Sequence, residues 1–173
     1  MGRFDEAEKY FERAATIYEK KYGQDHPFLA TCLTNLASVQ RTRGEFQDAE
    51  MLYLHARDIR VRVFGEEHPA VAETLNNVAL VYAEMGQGKK ALEMSQKALA
   101  IAAKHYPPTH PDFLSYCGNY GVILGAQGMK PEAVWYLEKA LAGLKEVKGF
   151  SLSHVWFKKF KRHLDEAKRG SKE

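Results

Sequence analysis

Between Glu45 and Val63 the apolar residues Phe46, Ala49, Leu52, Tyr53, Ala56 and Ile59 return every three or four positions, the spacing of one face of an α-helix. The preceding stretch behaves the same way: Leu29, Leu33, Leu36, Ala37 and Gln40 form the inward stripe of a helix running from Pro27 to about Arg43. This pair of helices returns at a period of 42 residues. Its second copy carries Leu75, Val78, Ala79 and Tyr82, then Ala91, Leu92, Ala98 and Ile101; its third carries Cys117, Tyr120, Gly121 and Leu124, then Ala133, Leu137 and Ala140. The opening stretch, with Phe4, Ala7, Phe11, Ala14 and Tyr18 on one face, matches only the second helix of a unit.

Polar and special residues keep the same period. His-Pro stands at 26–27, 68–69 and 110–111, Asn at 35, 77 and 119, and Gly at 44, 86 and 128. Proline suits the first turn of a helix and pushes the residue before it out of helical geometry, so His26, His68 and His110 are expected as N-caps. Each glycine supplies the permissive turn between the two helices of a unit. Ala49, Ala91 and Ala133, with Ala56, Ala98 and Ala140, put small side chains where two antiparallel helices must approach to about 8–10 Å. Self-similarity at this period predicts an all-α solenoid of antiparallel helix pairs, a right-handed superhelix with a C-terminal capping helix. The expected division of the single domain 1–173 is a lone second helix at 1–23, units at 24–65, 66–107 and 108–149, and a basic capping helix and tail at 150–173. That last helix, from about Ser153 to Lys168, is expected to pack through Trp156, Phe157, Phe160 and Leu164.

Composition narrows the setting. The chain is 45% hydrophobic and 27% charged, and its apolar runs are too short to span a bilayer. Two cysteines, Cys32 and Cys117, lack the spacing for zinc or a disulfide framework and read as buried hydrophobes in a cytoplasmic protein. From Lys145 on there are nine Lys/Arg against four Asp/Glu, a basic tail read as a solvated helix face.

The run Leu75, Val78, Ala79, Tyr82, Ala91, Ser95 and Ala98 resembles the signature of the tetratricopeptide repeat, and the 42-residue period resembles the longer variety found in kinesin light chains. The resemblance covers about residues 2–144 and implies a protein-binding scaffold. Gln40 stands where the family places tyrosine; Gly118, Gly121 and Gly125 lie inside a helix, and Gly143 replaces the isoleucine of positions 17, 59 and 101.

The candidate chemistry is that of binding. The three His-Pro histidines belong to different units, too far apart to share a metal. His105 and His110 have no acidic or thiol companion. No catalytic triad, phosphate loop or paired buried carboxylates can be picked out, so an enzyme, a cofactor and a metal are not expected. Nucleic acid is not expected either, because the aromatic residues near the basic tail are needed for packing, and no membrane contact is expected. The surface opposite the inward stripe predicts a peptide-binding groove of Thr34, Asn35, Ser38, Arg41, Glu73, Asn76, Asn77, Leu80, Glu84, Asn119 and Val122. There Arg41 would receive an acidic side chain, and the small floor near Gly118, Val122 and Ala126 would leave room for a bulky anchor. The asparagine row fits two readings, bonding the backbone of a peptide or bridging adjacent repeats. Phe4, Tyr10, Phe11 and Ile17 are expected to leave the first helix sticky, so that it pairs with a second copy or an upstream repeat. The expectation is thus an adaptor or scaffold module; the alternative is a structural self-assembly segment, or a piece of a longer array such as a kinesin-light-chain-like cargo adaptor.

Overall fold

The computed structural model describes residues 2–149, 151 and 154–169, the side chains of residues 2 and 3 excepted. Its regular structure is helical throughout: α1 (Gly2–Tyr22), α2 (Pro27–Arg43), α3 (Phe46–Phe64), α4 (Pro69–Glu84), α5 (Gly88–His105), α6 (Pro111–Ala126), α7 (Lys130–Glu146) and α8 (Val155–Arg169). Ser153, where the last helix was expected to begin, and residues 170–173 lie outside the described residues. No helix among the described residues is long and apolar enough to cross a membrane. Each helix packs on its neighbours in the chain, α4 also touches α6, and α6 also touches α8. The result is an all-α solenoid in which α2, α4, α6 and α8 form one layer.

The period is written in the helix ends. His26, His68 and His110 have extended backbone, and each Nδ1 accepts a hydrogen bond from the amide two residues on, at 3.2, 3.1 and 3.2 Å. Histidine does more here than a serine cap would, because its ring also stacks on the aromatic residue that closes the previous helix. The centroids lie 4.6 Å apart for Tyr22–His26, 4.4 Å for Phe64–His68 and 4.3 Å for Tyr106–His110. At the other end of each first helix, Gly44, Gly86 and Gly128 are left-handed, and the next amide reaches back to Gln40, Tyr82 or Leu124 at 2.8–3.0 Å.

All six alanines of the crossing positions are fully buried. The departures from the repeat are compensated by their neighbours. Leu114 faces Gly143 in the third unit, where a Cβ on the glycine would overlap the leucine side chain; at the equivalent positions of the first two units stand Ala30 and Ile59, which share one core cluster, and Ala72 and Ile101, which share another. The volume has moved from one helix to the other, which preserves packing density. Gly121 is needed for closeness too, since a Cβ there would lie 2.9 Å from Leu137 Cγ. Gln40 keeps a polar contact at the position where Tyr82 donates to Glu50 at 2.8 Å: its Nε2 donates to Glu8 at 2.9 Å, while its Oε1 is buried without a partner.

Helix α8 packs on α7 and α6 as α6 packs on α5 and α4, so it occupies the place of a further first helix. Phe157 and Phe160 are buried there as the pattern required. Trp156 is not: it is 36% exposed, because the helix turns it toward the open side of the layer instead of onto α7. At the other end of the stack, α1 packs chiefly on α2 among the described residues, which leaves Tyr10 72% and Ile17 53% exposed, Phe4 exposed and Phe11 half-buried.

Candidate binding groove

The open face of the α2–α4–α6–α8 layer holds a cleft of about 920 Å³. Helix α2 contributes Arg41; α4 contributes Glu73, Asn76, Asn77, Leu80 and Glu84; α6 contributes Asp112, Ser115, Tyr116 and Asn119; α8 contributes Val155, Trp156 and Lys159, and Tyr106 joins from the turn before α6. These residues come together because each helix presents to the open side the arc opposite its buried stripe, and the stack lines up those arcs.

Of the residues expected from the sequence, Arg41, Glu73, Asn76, Asn77, Leu80, Glu84 and Asn119 line this cleft. Thr34 is buried and its hydroxyl donates to the Ala30 carbonyl at 2.8 Å. Ser38 is half-buried, donates to the Thr34 carbonyl at 2.9 Å and lies 2.8 Å from the Tyr53 hydroxyl. Asn35 is half-buried beside them. Val122 lines a separate cavity of about 310 Å³ under α8, with Gly121, Gly125, His163 and Ala167. The room expected for a bulky anchor above Gly118 is not open, because Phe160 of α8 fills it, so close that a Cβ at 118 would overlap the ring.

Asn119 bridges helices. Its Nδ2 donates to Asn76 Oδ1 at 3.2 Å, and its Oδ1 accepts from Lys159 Nζ at 3.3 Å, a polar chain across α4, α6 and α8. Lys159 is held below the usual lysine range, chiefly by burial and then by the nearby Arg41. Arg41 itself lies 3.6 Å from Glu84, an ion pair with both partners partly exposed and worth little to stability. Behind the cleft, Arg60 of α3 is 5% exposed, and its Nη1 donates to the Ala70 carbonyl at 2.9 Å, to Thr74 Oγ1 at 2.6 Å and to Glu73 Oε2 at 3.1 Å. Burial, followed by the field of Glu73, pushes the Tyr116 hydroxyl up, so it stays a neutral donor.

Sequence reasoning missed Arg60 and, of the cleft lining, Tyr106, Asp112, Tyr116, Val155, Trp156 and Lys159. A signal existed for Arg60 alone: it is the one charged residue at a position occupied by Ala102 and Leu144 in the later units. Elsewhere, burial raises the Cys117 thiol to about 11 and Cys32 upward, which makes neither a nucleophile. Among the described residues no three His, Cys, Asp or Glu side chains gather into a metal site.

The sequence profile described as tetratricopeptide repeat matches residues 1–60, 41–104 and 71–146. The chain is similar to the crystal structure of nearly identical TPR-like repeats from a Podosopora anserina kinesin light chain-type protein, with 25% identity and a TM-score of 0.76 over 98% of this chain and 80% of that one. It is also similar to BtubC (BKLC) of P. vanneervenii, with 26% identity and a TM-score of 0.76 over 87% of this chain and 60% of that one. The Sgt2 TPR domain of Aspergillus fumigatus shares the fold at 22% identity and a TM-score of 0.60, over 83% of this chain and 79% of that one. No curated protein sequence matches the chain.

Proposed function

Since the chain belongs to the tetratricopeptide repeat family, we propose that it is a non-catalytic binding module whose cleft takes an extended or helical peptide segment of a protein partner. Repeats of this family generally mediate protein–protein interaction, on a fold that is typically non-catalytic. The observation that carries the reading is the cleft itself: about 920 Å³, lined from four helices by amides, hydroxyls and both signs of charge. Such a lining suits a peptide, whose backbone needs donors and acceptors and whose side chains need local variety. Cys32 and Cys117, buried and unpaired, suit the cytoplasmic setting we propose for it.

Titration with a peptide selected from a random display library tests this. Arg41→Ala and Asn77→Ala are each expected to weaken binding by about fivefold or more, the cost of removing one hydrogen-bonding partner at a desolvated site. Asn76→Ala weakens it as well, but with some loss of stability because Asn76 also bonds Asn119. A selected peptide indifferent to all three changes binds elsewhere and sinks the groove assignment.

A second reading rests on α1. Tyr10 and Ile17 stand exposed on a helix that packs chiefly on α2 among the described residues, and an apolar stripe of this kind favours association. We propose that α1 docks on a second copy of the chain. Sedimentation over a concentration series is expected to show association that Tyr10→Lys combined with Ile17→Lys abolishes; a chain monomeric at every concentration removes the self-pairing.

A further inference from the structure

Among the described residues, the layer that carries the groove runs from α2 to α8. What holds α8 there is specific. Phe160 is fully buried in the recess that Gly118 leaves on α6, and Phe157 is buried beside it, packed into the same core as Leu141 and Leu144. With those two rings anchored, helical geometry leaves Trp156 and Lys159 little choice of direction: they lie on the adjoining arc and face the cleft. Lys159 then reaches Asn119, and through it Asn76, and the charges whose fields act on it are Arg41, Glu84 and Arg162. No carboxylate of the described residues lies within ion-pair distance of Lys159.

We infer that α8 is a working wall of the groove as well as a cap, and that the Phe160–Gly118 contact is the positioning element that places Trp156 and Lys159 against the bound segment. The inference rests on the groove reading above. The segment it predicts is a peptide that lays one side chain on the Trp156 indole and offers an oxygen, from main chain or side chain, to Lys159 Nζ. Because both act only when α8 is docked, ligand binding and docking are coupled, and each stabilises the other by the same factor. The recess gives Gly118 a packing role in the middle of α6 that offsets the lowering of helix propensity by about 1 kcal/mol.

The test uses the full chain, peptides selected from a random display library on the unaltered protein, and hydrogen exchange resolved over residues 155–169. Gly118→Ala is expected to speed exchange in α8 while leaving α4 and α5 unchanged, and to cut peptide retention about tenfold. Lys159→Gln is expected to cut retention without altering α8 exchange, which separates contact from positioning. Saturating peptide is expected to slow α8 exchange in the unaltered chain. If Gly118→Ala unfolds the whole chain, Phe160→Leu serves in its place, since it thins the plug and leaves α6 intact. Retention unchanged when α8 is released, or α8 exchange unaffected by peptide, overturns the inference. Peptides that depend on Arg41 and Asn77 but ignore the α8 variants overturn it alone. A library that yields no peptide at all overturns the groove reading, and this inference falls with it.

Discussion

The Ala91→Trp chain is expected to lose cooperative unfolding, with a melting temperature lower by about 10 °C or no clear transition at all. Ala91 is fully buried at the crossing of α4 and α5, in a cluster with Val78, Ala79, Tyr82 and Ile123. A tryptophan there has no cavity to enter. It must push α5 away from α4, and since overpacking by even a few methylenes costs about 1–3 kcal/mol, an indole costs about 3 kcal/mol or more. Each kcal/mol lowers the melting temperature of a chain this size by about 2–4 °C. In a stack where each unit contacts only its neighbours, a wedge in the central pair also severs the two ends energetically. Thermal unfolding followed by circular dichroism checks this, with Ala103→Trp as the control, because Ala103 on the same helix is exposed. Equal curves for both variants would show that the crossing has been misassigned.

The two substitutions expected at Arg60 point in different directions. Arg60→Ala should cost about 2–3 kcal/mol, whereas Arg60→Leu should be close to neutral. The guanidinium is buried and bonds Ala70, Thr74 and Glu73. Truncation to alanine leaves a cavity under α4, frees Glu73 from its only ion-pair partner among the described residues, and withdraws a donor from the Ala70 carbonyl. The figure is set below the usual value for a broken buried pair because Glu73 is half exposed and water can solvate it. Leucine keeps most of the volume, and the third unit already uses Leu144, fully buried, at the same position. Thr74 still bonds Ala70 at 2.9 Å without the arginine. Denaturant unfolding of the two variants decides it: equal losses would mean that the charge, not the volume, holds this site. If arginine is retained for function, Arg60→Leu should also weaken peptide binding, because Glu73 is then no longer held at the cleft wall.

The sequence alone was enough for the helices and their ends. Helix faces, histidine caps, glycine turns and buried alanines depend on residues within about one or two turns of each other, and the 42-residue period multiplies that local signal threefold. The open arc of the first helices follows the same period, and Arg41, Asn76, Asn77, Leu80 and Glu84 of that arc line the cleft, whereas Thr34, Asn35, Ser38 and Val122 of the same arc do not. The pattern could not say that Phe160 enters the space above Gly118, that Leu114 and Gly143 exchange volume, or that Asn119 reaches Asn76 and Lys159. Nor could it place Trp156, which shares an amphipathic helix with Phe157 and Phe160 yet stands in the groove. These outcomes turn on which side chains from distant helices meet, and by how much each helix is rotated and shifted when they do. Periodicity reports the face a helix buries; the rotation that decides between a core residue and a groove residue at the edge of that face is settled only when its neighbours compete for the same volume.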